Sequence, residues 1–316
     1  NAGTQLTAHD VSVGGDLNAK AKNITVTSVT GKGNAALTAD KDVTVTGAFS
    51  ARSAELTAEQ DIELKNAVKT GTDLTATATG SLTAANVEAV GNASLTAGAD
   101  LTAANVTAGG SLDAAAQNIT AGEIKSVGDT TLTASTGNLN VRNITADGDA
   151  SLTAKRDATI GGAVKTGGDF NANTGNDLIV NGAVTANKNI TLHTGRDLTV
   201  NGAVLSRGMT TIEAGRDAKF NGSLTSDENL AITATNNITV QNGANVSTKA
   251  DGTLKARSAD LGGDVHADGT LTIETKETLE VKNVTAGKAA TLKAGTDLKA
   301  ANVKAGKDAA LTADKN

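Results

Sequence analysis

The sequence predicts an all-β fold: a right-handed parallel β-helix with three short strands per coil of about 20 residues, about 15–16 coils in all. Three observations carry this. The stretch Phe170–Leu224 writes nearly one line three times, FNANTGNDLIVNGAV from Phe170, ITLHTGRDLTVNGAV from Ile190 and TTIEAGRDAKFNGSL from Thr210, each offset by 20 residues. Apolar and polar residues alternate over runs of three to five, punctuated by Gly, Asn and Asp, which reads as strand and turn and leaves no room for a helix. The composition suits a narrow aliphatic interior: of 316 residues, none is Pro, Trp or Tyr, three are Phe, one is Met and 35 are Gly. A compact domain would normally bury more aromatic area. Pro would remove a donor from a sheet interior.

An equal period sets Leu178, Leu198 and Ala218 on one vertical line, and Asn181, Asn201 and Asn221 on another. Such alignment belongs to a solenoid, in which each repeat buries its apolar face only against the next. Taking the Leu of the LTA-like strand, or its equivalent, as the start of each coil places starts at 17, 37, 56, 74, 95, 112, 132, 152, 170, 190, 210, 230, 254, 271, 292 and 311. Within one coil the strands are Leu132-Thr133-Ala134, Leu139-Asn140-Val141 and Asn143-Ile144-Thr145. Leu, Ala, Val and Ile are expected to point inward, and Thr, Asn, Lys and Asp outward. Right-handedness follows from the rule for parallel crossovers. Sixteen coils about 4.8 Å apart would make a rod of roughly 75 Å.

The coil from Leu230 is irregular by this phasing, with surplus residues around Asn242-Gly243 and Lys249–Gly252 and a short coil after it. Drift absorbed in turns is the expected cause, since turns tolerate insertions; a protruding loop or a kink is the other reading. Leu6–Leu17 matches Leu101–Leu112, a second strand in its coil, so the chain is expected to begin and end in mid-coil. Residues 1–316 are therefore expected to be a single β-helical segment, internal to a longer fibre, with no cap or secretion domain in it.

Net charge is −6 with both signs interspersed, and there is no Cys. Without Cys there is no disulfide, thiolate zinc site or thiol catalysis. Without a basic block or stacking aromatics, nucleic acid is not an expected partner. No apolar run of about 18 residues offers a membrane span.

The line LTAGADLTAANVTAGGSL (Leu95–Leu112), TLKAGTDLKAANVKAGKDAALTA (Thr291–Ala313) and the NGAV lines resemble the β-helical repeats of filamentous haemagglutinin. That family comprises large two-partner-secretion exoproteins of Gram-negative bacteria, including adhesins and contact-dependent growth-inhibition proteins. The resemblance runs from about Leu6 to Ala313. It implies a secreted or surface-displayed fibre concerned with cell adhesion and virulence, exported through an outer-membrane secretion pore. Its partners would be that pore and, through the parent protein or the rod face, host cell surfaces or glycans. A chain without disulfides or slow prolyl isomerisation suits threading followed by coil-by-coil folding.

No catalytic, cofactor-binding or metal-binding residue is expected. His9, His193 and His266 sit on different coils, too far apart to share a metal, and read as exposed polar positions. Parallel β-helices also host polysaccharide-processing enzymes, but these need carboxylates gathered in a cleft with aromatic subsites for sugars. Asp177, Asp197 and Asp217 stack beside Arg196 and Arg216, and are expected to form a turn ladder in which Asp caps local backbone N–H groups. Phe170 and Phe220 hold core-facing register. The Asn-Gly pairs at 181, 201 and 221 are expected to accept positive φ at a corner and to join their amides along the rod. The nonapeptide of calcium solenoids is absent. Asn-x-Thr recurs at Asn23, Asn105, Asn118, Asn143, Asn189, Asn237 and Asn283 as the turn Asn, inward Ile or Val and outward Thr of the repeat; some proteins that the resemblance points to are glycosylated at such sequons. Gly195-Arg196-Asp197 and Gly215-Arg216-Asp217 are not Arg-Gly-Asp. The chain is expected to be structural rather than an enzyme.

Overall fold

The structure, a computed structural model, describes residues 2–314. Among them there is no helix: parallel strands stack as a β-solenoid of about 16 turns with about 19 residues per turn. The residues fall into two compact units, Asn1–Lys155 and Arg156–Asn316.

In the second unit Leu178–Val180, Val184–Ala186 and Ile190–Thr194 make one turn, and Leu198–Val200, Val204–Ser206 and Thr210–Ala214 make the next. Leu178 pairs with Leu198 and Leu198 with Ala218, the vertical line expected from the repeat. In most turns of the first unit the first two strands fuse into one, as in Asp100–Ala108, and they do so again at Leu279–Ala286 in the second, while Val43–Val45 and Phe49–Ala51 stay separate. A short corner between them favours this. Val200 and Val204 are separated by Asn201-Gly202-Ala203, whereas Ala103 and Val106 are separated only by Ala104-Asn105, and the strand runs on round this shorter bend. A longer corner meets a shorter one at Leu64–Ala67 against Ala84–Asn86 and at Leu261–Asp264 against Val281–Asn283. There the ladder shifts register by one residue. The period thus varies at the corners while the inward positions stay inward.

The third strand of each turn carries three inward positions, and in the first unit the first two share one large side chain between them. The pairs run Leu17/Ala19, Ala35/Leu37, Ala54/Leu56, Leu74/Ala76, Ala93/Leu95, Leu112/Ala114, Thr130/Leu132 and Ala150/Leu152, each in register with the next. In the second unit Phe170 accompanies Ala172 and Gly252 accompanies Leu254 on third strands, and Ala218 accompanies Phe220 on a first strand. A close-packed interior favours that compensation, because a surplus of even one methylene forces neighbours out of place, although Ile190 with Leu192 and Leu230 with Ile232 fill both positions with large side chains. Phe49, Phe170 and Phe220 are fully buried, so the aromatics face the core.

This pairing corrects the phasing read from the sequence. Leu17 aligns with Ala35 and not Leu37, and Leu254 aligns with Ile232 while Gly252 aligns with Leu230. Leu and Ala trade places between two positions two residues apart, and an alternation of period two does not distinguish them. The long turn is therefore 22 residues, from Leu230 to Gly252, and the next is 19, from Gly252 to Leu271. Nothing is inserted at Lys249–Gly252. The whole surplus lies at the Asn242-Gly243 corner, where the Ala244 N–H donates to the Gln241 carbonyl (3.0 Å) and Gly243 has φ 84°. Val246 still pairs with Leu224, so the ladder passes the corner unbroken.

The outward assignment of Thr also needs correction. Thr70, Ser126, Thr130, Thr166, Thr174, Thr194, Ser206, Thr210, Ser226, Thr248 and Thr275 are buried. Several add a second donor to corner carbonyls that already accept a backbone N–H from the next turn, as Lys188 does from Gly208 (2.9 Å). The Ser206 hydroxyl reaches the carbonyls of Lys188 (2.8 Å) and Gly208 (2.9 Å), Ser226 reaches Gly208 (2.8 Å), and Thr166 reaches its own corner at Gly168 (3.1 Å).

Candidate functional site

The residues with the most chemistry gather on the corners of the second unit. Asp177 Oδ1 accepts from the backbone N–H of Asp197 (3.1 Å), Asp197 Oδ1 from that of Asp217 (3.3 Å), and Asp217 Oδ1 from that of Asn237 (3.1 Å). The cap expected here therefore bonds one turn onward rather than locally, because the parallel stack brings the next turn's N–H closer than any in the same turn. Each Arg sits over the Asp of the preceding turn. Arg196 holds Asp177 through Nε (3.0 Å) and Nη2 (2.6 Å), and Arg216 holds Asp197 in the same two-point manner. Burial acts to raise the Asp177 carboxyl, but the Arg196 hydrogen bond, the Asp197 N–H and the charges of Arg196 and Arg216 outweigh it. They hold that carboxyl below the ordinary carboxylate value. The Arg196 guanidinium is held above its own by the Asp177 hydrogen bond and charge.

The Asn ladder is present: Asn201 Nδ2 donates to Asn181 Oδ1 (2.8 Å), and Asn221 Nδ2 to Asn201 Oδ1 (2.5 Å). The expected positive φ at these corners is absent, since Gly243 alone has one among the described residues. Gly is needed for close approach instead. A Cβ on Gly182 would strike the Gly162 backbone, one on Gly202 that of Gly182, and one on Gly222 that of Gly202. The same amide device recurs at Asn86 with Asn105 (2.9 Å) and at Asn283 with Asn302 (2.8 Å).

The three His residues lie apart in sequence and in ladder. His193 Nδ1 faces Glu213 Oε2 of the next turn (3.2 Å), His266 Nε2 faces Asp268 Oδ1 (2.8 Å), and His9 Nδ1 meets the Thr27 hydroxyl (3.3 Å). Among the described residues no group of three His, Cys, Asp or Glu is placed to hold a metal ion. None of the described residues forms a helix long and apolar enough to cross a membrane.

One surface feature has the shape of a site. Thr239, Asp260, Glu280 and Lys299 form an outward column in register. Shallow open grooves of about 460 and 420 Å³ flank it, the first bounded by the Asn242 corner, Gly262 and Lys282, the second by Asn237, Ser258 and Asp297. Sequence reasoning missed this place, because only the register shows that Asp260 and Glu280 are neighbours. It does put two carboxylates side by side, contrary to the expectation that none would be paired in a cleft. Lys299 Nζ takes up Glu280, the groove is open, and no aromatic residue lines it. No family model matches the chain, and neither a curated protein nor a solved structure matches it. The outward column of Thr38, Thr57, Thr77, Thr96, Thr133 and Thr153, broken only by Ala115, is the longest row of one chemistry on the first unit's third strands.

Proposed function

We propose that this chain is part of the structural shaft of a secreted or surface-displayed bacterial fibre, holding an adhesive or toxin region away from the cell. The observation that supports it is where the polar side chains spend their bonds. Asp, Asn and Arg groups at the corners are engaged by residues one turn away, as in Asp177–Arg196 and Asn181–Asn201, and so serve the stacking itself. Side chains used in this way are not free to assemble a catalytic centre, and what remains useful is length and regularity. The resemblance to filamentous haemagglutinin repeats supports the same reading and adds export through a partner pore, a surface location and host contacts as its corollaries. Scattering and circular dichroism on the purified chain test it. An elongated β-rich particle is expected, and a compact globule would overturn the proposal.

The Thr column favours a second reading, in which a face of the solenoid contacts glycans directly. Hydroxyl and methyl groups repeating about every 4.8 Å present a regular lattice to a polymer of regular repeat. A glycan array run with the chain and with a Thr77→Lys, Thr96→Lys variant separates the two. Binding that the double variant loses supports the face; an empty array leaves the shaft.

A further inference from the structure

Four Asn-Gly pairs occur in the chain, at Asn181, Asn201, Asn221 and Asn242. Sequence context treats them alike, since a Gly after Asn leaves its amide nitrogen unobstructed for attack on the Asn side chain. Their surroundings differ. At the first three, the amides are joined to each other at 2.8 and 2.5 Å, the Gly182 N–H donates to the Gly162 carbonyl (3.1 Å), and each Gly lies flat on the turn before it. At the fourth, the corner is longer by two residues, and Asn242 lies against Gly262 of the next turn instead of another Asn. Asn242 and Gly243 are exposed, a Cβ on Gly243 would meet nothing within 4 Å, and Gly243 is the described residue with φ in the left-handed region.

We propose that Asn242 is a site of spontaneous deamidation, a covalent modification that the fold directs to this corner and withholds from the other three. The Gly243 nitrogen attacks Asn242 Cγ. The new N–Cγ bond replaces the Cγ–Nδ2 bond, and Nδ2 leaves as ammonia with the proton lost from Gly243. Water then opens the five-membered imide at either carbonyl, giving aspartate or isoaspartate, with no oxidant or other co-reactant consumed. Ring closure needs the Asn side chain and the following peptide to rotate toward each other. That motion is available to Asn242 and Gly243, exposed between Gln241 and Asn245, which anchor the corner to its neighbours, and at 181, 201 and 221 it first requires the amide ladder to open. The extra methylene of isoaspartate is accommodated for the same reason, since the ladder from Val246 onward does not depend on the corner's length. The product adds a negative charge at the rim of the groove that Asp260 and Glu280 already line.

The test is ageing of the folded full chain in mildly alkaline buffer, followed by peptide mapping with fragmentation spectra and isoaspartyl methyltransferase labelling. A parallel sample is aged in denaturant. Conversion at Asn242 is expected to outpace that at each of the other three by about tenfold or more when folded, the factor that about 1.4 kcal/mol in local opening free energy gives. In denaturant the four rates should converge. Equal rates in the folded chain would overturn the proposal. So would an Asn242 advantage that survives unfolding undiminished, because it would then belong to the sequence and not to the corner.

Discussion

Gly202 shows how one residue type answers to geometry. Its corner has ordinary backbone angles, yet a methyl group there would enter the space of the Gly182 carbonyl. Gly202→Ala is expected to destabilise the second unit by about 1–3 kcal/mol, the usual range for overpacking; Gly243→Ala, in open space, would be penalised only through its backbone angle. Thermal melts of the two variants check this, and equal stability of Gly202→Ala and the parent would contradict the close stacking. Asp177 sets a second expectation, in pH. Its folded-state carboxyl lies below the ordinary value, so its contribution is fully present above about 3.9, the unfolded value, and is lost as pH falls through the lower folded-state value. Asp177→Asn should remove that share of the acid limb while costing at most about 1 kcal/mol at neutral pH, since the Arg196 partner is half exposed. Denaturant melts across an acid series measure it. Parallel acid limbs in both proteins would show that the ladder does not contribute.

At the scale of the turn, corner length is the variable and the strands are fixed points. Corners of two and three residues both serve, as at Ala104-Asn105 and Asn201-Gly202-Ala203, and the five-residue corner Gln241–Asn245 serves as well. Deleting Asn242 and Gly243 would leave Gln241-Ala244-Asn245 between Val240 and Val246, the length found at 201–203, and is expected to preserve the fold and its melting temperature. Deleting Asn221 and Gly222 would leave Ser223 alone between Phe220 and Leu224, too short to turn, and should cost the unit its cooperative melt. Comparable melts for both deletions would refute the corner rule. The same distinction explains what the sequence makes legible. Inward and outward parity is written in single residues: Leu198 is buried beside half-exposed Thr199, and Phe170 and Phe220 fall on the core side as their register predicts. Phase is not, because Ala35/Leu37 and Leu74/Ala76 satisfy one alternation with the large residue in either place. The Asn-Gly corner was ambiguous because Gly serves both positive φ and close approach. The buried hydroxyls of Ser206 and Ser226 do carry a signal, a Ser at inward parity two residues before a turn carbonyl. The groove beside Asp260 and Glu280 carries none, since it exists only once the register of neighbouring turns is known.

Across a whole unit, contacts run almost entirely between successive turns, so stability should behave as a sum of turns and their nearest interfaces. Leu198 is the place to test this, as it is fully buried between Leu178 and Ala218. Leu198→Asp removes an apolar burial of about 1.5–3 kcal/mol and sets an unpaired carboxylate in the interior, a further cost of several kcal/mol that the group reduces by taking a proton. A globular core would pass that loss to every element at once. Here amide exchange is expected to rise most at Leu178–Val180, Leu198–Val200 and Ala218–Phe220 and to fall back toward the parent's rates with each further turn. The turns of the first unit between Leu74 and Ala134 should keep their protection. Thr199→Lys, one residue away and facing outward, should leave exchange unchanged throughout. A uniform loss of protection over both units in Leu198→Asp would refute nearest-neighbour stability, and an equal loss in Thr199→Lys would refute the inward and outward assignment on which the solenoid rests.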